Sequence, residues 1–470
     1  MLRLVIVPLL GFIALFCIVT PAFAQRGNPD LSFGGQTVDA MIADYMAENM
    51  VPGMVLAVLQ GSHMTRLSAY GLADDDNKTL TGIDSLFDIG PMAEAFTAVA
   101  VMQLIESGKL KLEDTLGKHL SDLPKTWQPL SIHALLAHAS GLPDYMREAD
   151  YDPIRAATPA DLIALVAAKP FAFKPGMDVA RSATDYLLLA MIVEQASGMP
   201  FHDFLRRYQF EPLGLRDIVF ADELRGDITE RRATGYRDGA PAGLAPPSAR
   251  PGSGGIFATV ADLGRWAMAL SSDMLIKDAD LRGALLSPVL LPDGRSLPVN
   301  GPWRFPGRKG LMYAAGSTSG HSAFLSRFTA PEDRLDVVLL ANKEGLDLTM
   351  LARRIAGAYD QRLGPPPGKD LRARQSPYPA SQAFERFAAI VKREKLGSLG
   401  RISEIGGVTT ATITPPASDP LPVAAPPASP IRASAWEEKG QVWLGILDKG
   451  PPSDLRRELE EALLKAVTPY

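Results

Sequence analysis

Two pairs of strand signals, far apart in the chain and separated by helical segments, most constrain what this sequence can fold into. Met54 to Gln60 and Thr65 to Tyr70 read as strands joined by the short turn Gly61-Ser62-His63. Phe324 to Thr329 and Leu335 to Asn342 read as a second hairpin, followed by a helix over Leu348 to Arg362. Upstream of the first pair, Val38, Met41, Ile42, Tyr45 and Met46 share one face of a helix from Thr37 to Met50, which Pro52-Gly53 ends. Between the pairs lie helices at Phe96 to Ile105 (stopped near Gly108), Ile132 to Ala137, Ala160 to Ala168 and Tyr186 to Ala196. A region that opens and closes with strands implies one sheet completed from both ends. The expected fold is therefore α/β of the α+β kind: an antiparallel sheet flanked by helices, with a helical subdomain between its strands.

At 470 residues the chain has room for more than this one region. Residues 1–24 read as a secretory signal: Arg3 leads an apolar stretch from Leu4 to Thr20, and Ala22-Phe23-Ala24 makes a cleavage site before Gln25. The expectation is cleavage between Ala24 and Gln25, a periplasmic or secreted product, and no stable membrane span afterwards. The single cysteine, Cys17, lies within that segment, so no disulfide is expected in the mature chain. A net charge of -5, with no block of lysines and arginines, gives no reason to expect a nucleic-acid partner. Composition shifts at Pro365-Pro366-Pro367-Gly368. Beyond it come a helix over Gln382 to Lys395, a strand over Val408 to Thr414 and a Pro/Ala-rich linker at 415–430. A hairpin of Ala433 to Glu437 with Gln441 to Leu447 follows, then a helix capped by Ser453. The reading is a main domain at 25–364 and a small α+β extension at 365–470.

Several phrases inside the main region occur together in one known family. Leu86-Phe87-Asp88-Ile89-Gly90-Pro91-Met92-Ala93-Glu94-Ala95-Phe96-Thr97-Ala98 resembles its nucleophile segment, L-F-x-I-G-S-x-x-K-x-F-T-A. Val51-Pro52-Gly53-Met54 is similar to its opening strand, and Ile132 to Pro143 to its I-x-x-L-L-x-H-T-S-G-L-P helix and loop. Lys174-Pro175-Gly176, Glu211-Pro212-Leu213-Gly214-Leu215, Ser253 to Leu263 and Val337 to Asn342 continue the match in order. The family is that of the serine β-lactamases and penicillin-binding proteins, which includes D-alanyl-D-alanine carboxypeptidases and esterases. The resemblance implies a β-lactamase/transpeptidase-like fold over roughly residues 37 to 362. It does not fix a substrate.

The family's chemistry needs a serine at a helix N-terminus, a lysine one turn on, a Tyr-x-Asn pair, and a His-x-Gly or Lys-Thr-Gly strand beside an oxyanion hole. Carried onto this chain, those positions read Pro91 and Glu94, then Arg181 and Ala183, then Ala314 and Gly316. Proline has neither a hydroxyl to attack with nor an N–H to donate. No Ser-x-x-Lys, Tyr-x-Asn, His-x-Gly or Lys-Thr-Gly occurs anywhere in the sequence. Pro91 nevertheless suits the first turn of a helix, and Glu94 suits its positive end. The resemblance places Glu94 and Arg181 face to face, so an ion pair between them is expected.

His321, with Ser317 or Ser319 beside it, is the alternative reacting group; the competing reading is a packing histidine. Trp303 and Tyr313 are expected at the mouth of the cleft. His133 and His138 are five apart, wrong for a metal pair on one helix face, and His138 is expected to bond locally in the Ser140-Gly141 loop. Neither a cofactor nor a metal is implied. The functional expectation is an exported family member without catalysis that binds a cell-wall peptide, a small ligand or a protein partner. The alternative is a serine hydrolase with a rewired site.

Overall fold

The computed structural model describes residues 25–26 and 31–467, apart from 309, 332, 366–370, 401, 406–407, 415–430, 439–440 and 448–453. The signal segment, the Pro/Ala-rich run and the Ser453 cap lie outside the described residues. Helix α1 (Val38–Glu48) begins where the Thr37 hydroxyl accepts from Ala40 N at 3.2 Å. Strands β1 (Gly53–Gln60) and β2 (His63–Asp74) follow as an antiparallel pair. The turn between them is shorter than expected, because His63 already pairs with Gln60 and Gly61 takes the left-handed conformation, φ +60°.

The helical insertion comprises α2 (Glu94–Glu106), α3 (Ile132–Leu136), α4 (Pro159–Val166) and α5 (Ala183–Ser197). Helix α6 (Val260–Ala269) leads back to the sheet. There β3 (Trp303–Arg304), β4 (Leu311–Thr318), β5 (His321–Phe328) and β6 (Leu335–Ala341) precede α7 (Thr349–Tyr359). Strand β6 pairs with β1 (Val337 opposite Val58, Leu339 opposite Leu56), so both ends of the region complete one sheet. Its order is β2-β1-β6-β5-β4-β3, within a nine-stranded sheet among the described residues.

The period of two sorts every long strand between two cores. Val55, Ala57, Val338, Leu340, Ala323 and Leu325 face a large cluster with Phe96, Leu187 and Trp266 from α2, α5 and α6. Leu56, Val58, Val337, Leu339 and Phe324 face the other side, under Val38 and Ile42 of α1 and Leu351 and Ile355 of α7. Each fully buried Leu, Ile, Val or Phe contributes about 1.5–3 kcal/mol, so both faces hold the sheet in place.

The C-terminal segment builds a second sheet from β7 (Leu371–Ser376), β8 (Val408–Thr414), β9 (Ile431–Glu438) and β10 (Gln441–Leu447). The long strands run β7-β10-β9-β8. Helices α8 (Ala380–Arg393) and α9 (Asp454–Val467) lend Phe384, Phe387 and Leu463 to a core with Ile413, Ala433 and Leu444.

Candidate functional site: the remnant nucleophile cleft

The cleft is organised by the turn that leads into α2. Asp88 Oδ1 accepts from Gly90 N at 2.8 Å, and Gly90 sits at φ +53°. A Cβ on Gly90 would lie 2.7 Å from Thr318 Cγ2, so both the backbone angle and the space require glycine. A 3₁₀ turn, Gly90–Ala93, then feeds α2, with Pro91 inside the turn and Glu94 opening the α-helix. Pro91 therefore starts the helix, as its fixed φ and missing N–H predict, one tighter turn earlier than a plain α-helical start. Strand β4 lies directly against this turn. A Cβ on Gly316 would come within 2.1 Å of Ile89 O and 2.8 Å of Met92 N.

Glu94 is only 1% exposed and stands at the centre of a buried ionic cluster. Its Oε1 accepts from Arg181 Nη2 at 2.7 Å, which is the expected ion pair. Its Oε2 lies 3.3 Å from His138 Nε2, and the other ring nitrogen, Nδ1, lies 2.9 Å from Asp185 Oδ2. Ser140 Oγ donates to the second oxygen of Asp185 at 2.5 Å. Arg181 Nη1 approaches Asp144 Oδ2 at 3.9 Å, and Ala183 N donates to Asp144 Oδ1 at 3.1 Å.

The two carboxylates facing His138 only accept, so the ring is satisfied when both its nitrogens carry protons. Burial opposes that charge, but the bonds to Asp185 and Glu94 outweigh it and raise the His138 pKa above its ordinary value. Burial likewise opposes the charge on Glu94, yet Arg181 and His138 together hold it below the usual carboxylate range. Burial dominates at Asp185, whose carboxyl is pushed up to about 6 against the pull of His138 and Ser140. Glu94 and Asp185 thus offset His138 and Arg181, with Asp144 as a third carboxylate beside Arg181.

Residues 38–360 match the β-lactamase family. The chain belongs to this family. Among its β-lactamase-family relatives, penicillin-binding protein 4* of Bacillus subtilis is 29% identical over 313 residues, 62% of this chain and 68% of that protein. Protein flp of Staphylococcus aureus is 22% identical over 189 residues, and the match spans only 38% of its length. A solved structure, the octameric penicillin-binding protein homologue from Pyrococcus abyssi, superposes with a TM-score of 0.60 at 20% identity, covering 87% of this chain and 99% of that one. The likeness extends the shared fold beyond the residues the family match covers.

Against this β-lactamase frame, the remaining expected residues fall in two groups. Ala314 and Gly316 face the turn and the larger core, and Arg181 and Ala183 stand at the start of α5. The expected cleft-lining residues do not gather there. Trp303 pairs with Ala314 and shares its face, so it is buried in the core rather than at the cleft mouth. Tyr313 points to the opposite face and stacks on Phe324, ring centroids 5.2 Å apart. Ser317 shares that opposite face, where its Oγ accepts from Gly345 N at 2.7 Å.

Ser319 Oγ is buried and accepts from Arg250 Nη2 at 2.9 Å. His321 is a buried packing residue, not a base for either serine. Its ring nitrogens face the carbonyls of Ser319 (3.0 Å) and Ala233 (3.2 Å), between the edges of Phe87 and Phe257. Burial keeps its pKa low, favouring the neutral ring.

Sequence reasoning missed His138, Asp185 and Ser140 as members of the site. His138, at a left-handed backbone position (φ +57°), bonds to Asp185 and Glu94 rather than within its own loop. The available signal was Asp185, one helical turn beyond Arg181, where a carboxylate in an apolar run demands a cation. Among the described residues no His/Cys/Asp/Glu group could hold a metal ion, and no helix is long and apolar enough to cross a membrane.

Proposed function

We propose that this protein is an exported, non-catalytic member of the family that binds an extended peptide of the cell-wall type in the remnant cleft. The observation that carries the reading is the replacement of the reacting groups by a buried ionic cluster in which Glu94, His138, Asp185 and Arg181 bond to one another, with only Arg181 Nε left without a partner among the described residues. Pro91 supplies neither nucleophile nor oxyanion donor, and Glu94 is committed to Arg181 and His138. The serines that a rewired hydrolase would use are engaged elsewhere, Ser317 with Gly345 and Ser319 with Arg250.

Peptide binding is supported by the edge of β4. On β4, strand β3 pairs only with Tyr313 and Ala314, so from Ala315 to Thr318 the outer edge has no partner strand among the described residues. Such an edge accepts an extended backbone by strand addition, which needs no reacting side chain. The names of the penicillin-binding relatives agree with a cell-wall peptide as the occupant. Export is supported by the Arg3 to Ala24 segment and is checked by N-terminal sequencing of the mature protein.

The binding claim is tested by titrating the protein with diacetyl-L-Lys-D-Ala-D-Ala while following amide hydrogen exchange. Saturable binding with new protection at residues 315–318 is expected. Protection confined to other segments, or no saturable binding, would refute the peptide assignment.

A further inference from the structure

A second concavity, unrelated to the remnant cleft, opens where β4 begins and β5 ends. It is a cavity of about 280 Å³ whose wall includes Ser271, Arg282, Arg334 and Asp336. Arg327 lies just behind this wall and is fully buried. Its Nε approaches Asp336 Oδ1 at 3.3 Å, and its Nη2 donates to Ser271 Oγ at 2.5 Å. Both partners line the cavity, so the guanidinium borders it. The third nitrogen, Nη1, is buried without a hydrogen-bond acceptor among the described residues. It does not reach the cavity, so Arg327 adds positive charge behind the wall rather than a direct contact.

The local charge points the same way. Three arginines meet one carboxylate, and that carboxylate is already paired with Arg327. Arg282 Nη1 is held by the carbonyls of Ile276 and Lys277, at 2.5 and 2.8 Å, which orients the side chain but does not neutralise it. Arg334 is exposed and has no ion-pair partner among the described residues. The neighbouring acid, Asp333, is taken by Arg308 and Arg362. An anion is the complement to such a set.

The cavity also has an apolar continuation. Leu286, Met312 and Thr329 line both it and an adjoining groove of about 520 Å³. That groove runs on over Pro288, Pro298 and Phe305. A ligand filling both hollows needs a compact anionic end and a slender hydrocarbon end.

We propose that the two hollows form one site for an anionic amphiphile, a medium-chain carboxylate. Its head would meet Arg282 and Arg334, with the buried charge of Arg327 behind the wall, and its alkyl chain would lie along Leu286, Met312 and Phe305. The proposal does not depend on the reading of the remnant cleft.

The test is calorimetric titration of the whole protein with sodium dodecanoate below its micelle concentration, beside sodium butanoate and 1-decanol. Saturable one-to-one binding of dodecanoate is expected, with both partial ligands much weaker. Arg334→Gln, at an exposed position that leaves the core untouched, is expected to weaken dodecanoate about tenfold, the loss of one charged hydrogen bond. Leu286→Trp, at the junction of the hollows, is expected to weaken dodecanoate and leave butanoate unchanged. Absence of saturable binding, equal affinity for decanol, or dodecanoate affinity unchanged in both variants would overturn the proposal.

Discussion

At the scale of single residues, the site is held by charge complementarity rather than by any one bond. Glu94 is the pivot, since it touches both Arg181 and His138. Breaking a buried ion pair on one side leaves an uncompensated charge, at a cost of about 3–5 kcal/mol. Glu94→Lys does more, because it places a third cation beside Arg181 and His138. It should lower stability by at least about 3 kcal/mol, read from the denaturant midpoint. The pair Pro91→Ser with Glu94→Lys should therefore fail to rebuild a working site while Arg181 remains.

The same cluster sets a pH dependence. The folded-state pKa of His138 lies above its unfolded value of about 6.5. Between the two values the folded chain holds more protons than the unfolded one, so stability falls as pH rises through that window. Asp185, raised to about 6, acts with the same sign at lower pH; Glu94, lowered, acts oppositely as pH falls through its own folded value. Unfolding midpoints measured at increasing pH above about 6.5 should decline for the native protein, and the decline should be much shallower in His138→Gln. Equal slopes would remove His138 from the charged cluster. The Glu94–Arg181 pair was legible because two substituted positions of one motif set carried opposite charges. His138 was not, because nothing in the sequence announces a left-handed histidine.

At the scale of elements, the contact between the turn into α2 and strand β4 fixes the shape of the cleft. Gly316 makes that contact possible, since any Cβ there collides with Ile89 O and Met92 N, both of them backbone. Gly316→Ala should cost about 1–3 kcal/mol, seen as a lower melting temperature with the overall secondary structure kept. An unchanged melting temperature would mean that β4 and the turn are not in contact.

The strands of the two outer hairpins were legible from their apolar runs, and α1, α2, α3, α4, α5 and α7 from their spacing, whereas β3, β4 and α6 were not read as elements. What escaped was the face each strand residue takes. Trp303 and Tyr313 were expected at the cleft mouth, and Ser317 beside His321. The period of two separates Trp303 from the other two, sending it into one core and them to the opposite side. Register decides such questions, and pairing with a distant strand sets register.

At the scale of the whole molecule, the fold is retained where the family's motif residues are not. Strand β6 reaches β1 across the chain, as the paired strand signals at both ends of the region implied. Both cores flanking the sheet are apolar, and two of the substituted motif positions, Ala183 and Ala314, are themselves buried in the larger one. The C-terminal sheet brings its own buried cluster. Its strands β8, β9 and β10 and both helices were legible and β7 was not, and no residue type in them announces a role.

The central claim is that this β-lactamase-family scaffold has no nucleophile. It is tested most directly by intact-mass measurement of the mature protein after incubation with a fluorophosphonate and, separately, with a labelled penicillin. An unchanged mass in both is the predicted result. A stoichiometric covalent adduct in either would contradict it.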